Sequence, residues 1–170
     1  MKIILLGFSY VGKTTLGRAI AQELNVPFLD IDLMVEELHD MSVEDIFDKL
    51  GESQFRIWER EVLFDFLNRK DDVIISLGGG TPCYSDNMEM CLANGLTVFL
   101  DLPKEIILER CRNAEVVRPI FRDIEYALLP AVMENYMTKR YPTYHKAHII
   151  YTNPSPCPKE FLHHIGIAGY

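Results

Sequence analysis

One octapeptide near the N-terminus restricts the chain more than any other segment. Gly7-Phe8-Ser9-Tyr10-Val11-Gly12-Lys13-Thr14 fits the pattern Gly-x-x-x-x-Gly-Lys-[Ser/Thr]. The apolar, β-prone run Ile3 to Leu6 precedes it, and Thr15 to Leu24 after it reads as a helix. That strand, loop and helix setting is the context the pattern requires. Glycines let the backbone turn tightly and aim N–H groups at phosphate oxygens, and the following helix adds its positive N-terminal end. The segment Gly7, Tyr10, Val11, Gly12, Lys13, Thr14 and Thr15 is therefore expected to cradle the phosphates of ATP. Lys13 is expected at the β/γ-phosphates, with the Thr14 hydroxyl placed to ligate Mg²⁺.

Beyond the loop, short apolar runs alternate with amphipathic stretches, which predicts βα units and a parallel sheet. Strands are expected at Phe28 to Ile31, Val73 to Leu77, Thr97 to Leu100 and His148 to Tyr151. Ser42-Val43-Glu44-Asp45 resembles a helix-opening capping box, and Gly51 a stop. A longer helix carries Phe55, Trp58, Val62, Leu63 and Phe66 at helical spacing, with Trp58 expected to pack rather than bind. Pro103 marks another helix start. Asp123 to Lys139 reads as helical except at Pro130, which must start, break or kink it. With 170 residues, no repeat and no linker, one domain is expected.

The net charge of −8 argues against nucleic acid or an anionic membrane as the main partner. Cys83, Cys91, Cys111 and Cys157 lack metal-ligand spacing and fit idle thiols in a reducing compartment. No stretch approaches the ~20 apolar residues needed to span a bilayer. The first residues are too short for a secretory signal. A soluble, cytoplasmic protein is expected.

Within an acidic chain, an anion site must gather its few cations in a cleft. Asp30 and Asp32 flank Ile31 at the predicted end of the second strand, where same-side carboxylates could serve a metal shell and a proton acceptor. Solvated loop acids are the plain alternative. Arg56 and Glu59 share a helix face, either as an oriented grip for a carboxylate or as a surface ion pair. Gly78-Gly79-Gly80 permits close backbone approach, or is a flexible turn. Arg110, Arg112, Arg118 and Arg122 fall within fourteen residues and suit a lid over bound nucleotide better than a solvated loop. Lys139 and Arg140 add cations before the last strand, while His145 and His148 lack a third metal ligand.

Taken in order, these motifs resemble the shikimate kinase family of nucleoside monophosphate kinase-like P-loop proteins. The resemblance runs from Lys2 to about Ile150 and includes Gly51-Glu52, Phe55-Arg56, Glu59, Arg118-Pro119 and Arg140-x-Pro142-x-Tyr144. It implies a three-layer P-loop fold with a five-stranded parallel sheet in the order 2-3-1-4-5. A mobile lid is expected at about 110–122 and a substrate-binding helical region at about 33–62. ATP and shikimate would be the substrates, Mg²⁺ the cofactor, and the chain a monomer.

In residue terms, the resemblance implies catalysis by Lys13, Asp32 and Arg118, with Thr14 and Asp30 at the metal. Shikimate would meet Asp32, Arg56, Glu59, Gly78, Gly79, Gly80 and Arg140, while Arg110 and Arg118 would meet the nucleotide. Two departures stand out. Tyr10 replaces a family glycine, which strains the loop by about 1 kcal/mol if φ there is positive. The family's Arg-Pro-Leu-Leu reads Arg118-Pro119-Ile120-Phe121. Another small-molecule kinase, for gluconate or nucleoside monophosphates, is the alternative within the class. A non-catalytic nucleotide-binding paralogue is the alternative outside it.

Overall fold

The computed structural model describes residues 1–114, 119–167 and 169. Its centre is a parallel sheet built from β1 (Lys2–Leu6), β2 (Phe28–Asp30), β3 (Val73–Ser76), β4 (Leu96–Leu100) and β5 (Ile149–Tyr151). The spatial order is β2-β3-β1-β4-β5 with every pairing parallel, the order the resemblance implies. β1 lies between β3 and β4, and Ile3, Ile4, Leu5 and Leu6 are wholly buried. Buried on both faces, such strands read as continuous apolar runs rather than alternating ones. Each of these side chains contributes about 1.5–3 kcal/mol through burial.

Register determines what meets at the site. Leu5 pairs with Ser76, and Ser76 pairs with Asp30, so β1, β2 and β3 end at one level. The loops that leave them, at Gly7, Ile31 and Leu77, consequently share one edge of the sheet. Ligands of open parallel sheets bind at this carboxyl edge.

The connecting helices are α1 (Lys13–Leu24), α2 (Ile31–His39), α3 (Val43–Leu50), α4 (Glu52–Asn68), α5 (Asn87–Asn94), α6 (Lys104–Arg112), α7 (Leu129–Tyr144) and α8 (Pro158–His164). None among the described residues is long and apolar enough to cross a membrane. α1 lies tight on the sheet, since a Cβ at Gly17 would sit 2.4 Å from the Phe28 ring. Ser42 caps α3 by accepting from the Asp45 N–H at 3.0 Å, as its sequence foretold. Trp58 is a packing residue, stacked on His39 with centroids 3.5 Å apart.

Several boundaries differ from the sequence reading. α1 opens at Lys13 rather than Thr15, because Gly12 at φ +98° turns the chain and its carbonyl accepts the first helical bond from Leu16. β2 stops at Asp30, and Ile31 already belongs to α2, so Asp32 is in a first helical turn and not on a strand. The predicted helix from Asp123 begins instead at Leu129, with Pro130 in its first turn where a missing N–H costs nothing. It then runs through Pro142 to Tyr144. α5 and α8 had no sequence expectation, and His163 and His164 close α8.

Candidate active site

The carboxyl edge opens into a cleft of about 1110 Å³. Its floor is the loop between β1 and α1, where Tyr10, Val11, Gly12, Lys13, Thr14 and Thr15 all line the cavity. Lys13 is nearly buried, and its ammonium donates to the carbonyls of Gly7 (3.0 Å) and Phe8 (2.8 Å). Gly7 lies beneath the cleft rather than on its wall. A Cβ there would fall 2.7 Å from the Leu100 carbonyl oxygen. Tyr10 has φ +66°, so the strain foreseen for a side chain at this position is present.

At the start of α1, the Thr14 hydroxyl donates to Asp30 Oδ2 at 2.6 Å. The last residue of β2 is thereby tied to the phosphate loop, and two hard oxygen donors face the cleft together. Arg110 of α6 spans the opposite rim. Its guanidinium donates to the carbonyls of Val11 (2.9 Å) and Pro154 (2.5 Å), joining the loop to the segment after β5.

Across the cleft lies a second group centred on the glycine triplet. At Gly78 a Cβ would come within 2.5 Å of Asp32 Oδ1, 2.7 Å of Glu59 Oε1 and 2.8 Å of the Thr81 hydroxyl. At Gly79 it would approach Arg140 Nη1 to 3.2 Å. At Gly80 it would overlap the Arg56 guanidinium, 2.2 Å from Nη2. The triplet is thus neither a flexible turn nor only an open backbone. The space it leaves is filled by four functional side chains from three helices.

Arg56 projects from α4 and is held from two sides. It donates to Glu59 Oε2 at 2.8 Å and to Glu52 Oε1 at 2.9 Å. Burial works against its charge, but the two carboxylates more than restore it and raise its pKa. Glu59 is fully buried and takes a further bond from the Thr81 hydroxyl at 2.5 Å. Its carboxyl is pushed up to about 7, chiefly by burial; Arg56 opposes the rise and Asp32 adds to it. Glu59 sits beneath Arg56 as its support and is not among the residues that line the cleft.

Arg140, from α7, brings its guanidinium to the same wall, 4.9 Å from the Tyr136 ring centroid and 5.7 Å from that of Phe8. Tyr144, one turn on, is buried and donates its hydroxyl to the Gly79 carbonyl. Arg56, Arg140 and Asp32 thus face the phosphate loop across the cleft, an arrangement suited to moving a phosphoryl group onto an acidic acceptor. Among the described residues no set of three His, Cys, Asp or Glu is grouped to hold a metal ion, His145 and His148 included.

The structure gathers Lys13, Thr14, Asp30, Asp32, Arg56, Gly78, Gly79, Gly80, Arg110 and Arg140 around one cavity. Arg118 lies outside the described residues, as does part of the expected lid. Arg122 pairs with Glu44 (2.5 Å) and Asp48 (2.9 Å) on α3 and is not among the residues that line the cleft. Sequence reasoning passed over Glu52, Thr81 and Tyr144 as functional supports. Thr81 follows the glycine triplet and Tyr144 ends the Arg140-x-Pro142-x-Tyr144 run, so both lay within motifs already noticed.

Comparison with known proteins points to one family. The family model for shikimate kinase matches residues 10–166. A shikimate kinase from Bacteroides fragilis is 40% identical over 151 residues, covering 89% of this chain and 84% of the relative. The crystal structure of a shikimate kinase from Bacteroides thetaiotaomicron superposes with a TM-score of 0.91 at 34% identity, covering 98% of this chain and 99% of that one. A shikimate kinase from Acinetobacter baumannii, solved in complex with shikimate, gives a TM-score of 0.85 at 30% identity, over 96% and 89% of the two chains. With the family model, these relatives, the phosphate loop and the sheet order in agreement, the chain belongs to the shikimate kinase family.

Proposed function

We propose that the protein transfers the γ-phosphoryl group of ATP to the 3-hydroxyl of shikimate, yielding ADP and shikimate 3-phosphate. One observation carries this reading: Arg56 and Arg140 converge with Asp32 on the glycine triplet, across a single cleft from the phosphate loop. Two guanidiniums fit a carboxylate acceptor, and a shikimate complex is known for the Acinetobacter baumannii relative. Gluconate shares the carboxylate, and the phosphate of a nucleoside monophosphate also pairs with guanidinium groups, so the two arginines favour a carboxylate acceptor without excluding these.

In this reading the loop N–H groups and Lys13 hold the β- and γ-phosphates, and Arg110 closes the nucleotide side. Thr14 and Asp30 fit Mg²⁺, which takes one or two protein oxygens and completes its shell with phosphates and water. The ion, when bound, neutralises charge on the transferring group. Helices α2 to α4 and the tip of β3 form the acceptor region, where Arg56 and Arg140 clamp the carboxylate. Asp32 accepts the proton of the 3-hydroxyl as the new O–P bond forms and the bond to the β-phosphate oxygen breaks, releasing ADP. Arg118 is assigned to the transferring phosphoryl group by the resemblance alone. The expected cytoplasmic, monomeric state belongs to the same reading.

The test is a coupled ADP-release assay with MgATP and shikimate, gluconate, a nucleoside monophosphate or no acceptor. Release that depends on shikimate is expected. Release with another acceptor instead reassigns the kinase, and nucleotide binding without any acceptor-dependent release leaves a non-catalytic paralogue.

A further inference from the structure

Two of the positions at which the chain departs from its family's pattern meet in space. Tyr10, at φ +66° in the phosphate loop, has its ring centroid 6.2 Å from that of Phe121, in the short 3₁₀ turn Pro119–Phe121. A bulky side chain at positive φ is costly, and such a residue persists only where surrounding contacts hold it. Phe121 supplies one of those contacts. It is almost completely buried and also touches Phe8 (6.0 Å) and Tyr136 (6.1 Å, edge-on).

Phe8 and Tyr136 are also the two rings over which the Arg140 guanidinium lies. A planar cation gains most from an aromatic face when the ring beneath it is fixed. The rings are fixed through Phe121, which stands between them and is backed by Tyr10. These ring contacts run from Tyr10 in the nucleotide loop through Phe121 to the rings beneath Arg140.

We propose that Tyr10 and Phe121 act together as positioning residues for the acceptor site, holding Phe8 and Tyr136 so that Arg140 presents its guanidinium to the acceptor carboxylate. The role rests on the acceptor reading above. Neither residue touches the acceptor; both act through Arg140. A residue in the nucleotide loop therefore influences acceptor affinity.

The experiment is steady-state kinetics with MgATP and shikimate on the wild type, Phe121→Leu, Tyr10→Gly, Tyr10→Phe and the Tyr10→Gly/Phe121→Leu double variant, each checked by thermal melting. Phe121→Leu keeps apolar volume but loses the ring, and is expected to raise the shikimate KM about threefold to tenfold. Its kcat and MgATP KM should stay within about twofold of wild type. Tyr10→Gly should also raise the shikimate KM, Tyr10→Phe, which keeps the ring, should raise it clearly less, and the double variant should be no worse than the worse single. If Phe121→Leu does not fold, the contrast between Tyr10→Gly and Tyr10→Phe decides alone. An unchanged shikimate KM in Tyr10→Gly, multiplying effects in the double variant, or an equal rise in MgATP KM for Phe121→Leu overturns the proposal. If the wild type shows no shikimate-dependent release, the acceptor reading falls and takes this role with it; normal wild-type turnover with silent variants sinks the role alone.

Discussion

Arg56 and Glu59 form a buried ion pair at 2.8 Å in which the acid is the more deeply buried partner. Glu59 has its pKa raised from 4.5 to about 7, mainly by burial, so the folded chain holds a proton there that the unfolded chain lacks at intermediate pH. The stabilisation from that proton is complete below the unfolded value and is lost as pH rises through about 7. Protonation of Glu59 also leaves more of the Arg56 charge for an acceptor carboxylate. The shikimate KM should therefore fall as pH is lowered from about 8 to about 6, while Glu59→Gln flattens the profile. A wild-type KM that stays flat across this range, or rises, removes Glu59 as the titrating group.

The glycine at position 80 makes room for Arg56. Its backbone (φ −91°, ψ −20°) suits alanine, so Gly80→Ala acts through space alone. The added methyl would lie 2.2 Å from Nη2, and Arg56 cannot swing aside without leaving Glu52 and Glu59. Loss of a charge-assisted contact predicts a rise in shikimate KM of about ten- to a hundredfold, with MgATP KM little changed. Equal losses for both substrates would show a collapse of the cleft instead.

How much of this site is legible in the chain depends on how local its chemistry is. The phosphate loop is contiguous, so its residues and the turn at Gly12 follow from eight letters and a flanking pattern, while the strain at Tyr10 came through the family's glycine at that position. The strand order came only through the resemblance, because periodicity says where strands are and not which ones pair. Asp32 was placed on β2 because Phe28 to Ile31 is β-prone throughout; the helix starting at Ile31 won by burying Ile31 and Val35. The glycine triplet showed that something approaches closely. That the neighbours are Asp32, Glu59, Arg140 and Arg56 is a tertiary fact no local pattern holds. α5, with the sequence NMEMCLAN, has almost no periodic contrast to betray it.

Thr14 and Asp30 share one short hydrogen bond, 2.6 Å long, at the position proposed for Mg²⁺. Asp30→Asn keeps the shape but removes the charge that organises the Thr14 hydroxyl and the metal's water shell. The Mg²⁺ concentration for half-maximal rate should rise by roughly ten- to a hundredfold, as for other supporting ligands of metal sites. Saturating Mg²⁺ should restore much of the rate and leave the shikimate KM alone. An unaltered Mg²⁺ requirement would move the metal site away from this pair.

Asp32 stands in the first turn of α2 and packs against the space that Gly78 leaves open, on the acceptor side of the cleft. Glu59, which borders the same Gly78 space, sits deeper and is committed to Arg56 and Thr81, so it cannot readily replace Asp32 as proton acceptor. Asp32→Asn preserves shape and can still hydrogen-bond a substrate hydroxyl, but it cannot take the proton. The kcat should fall by about 10²- to 10⁴-fold, the usual value of a positioned general base, with MgATP KM nearly unchanged. A fall in kcat and kcat/KM by the same factor places the loss in the transition state. A variant that turns over at the wild-type rate would leave proton removal to water or to the transferring phosphoryl group itself, and Asp32 would be a binding residue only.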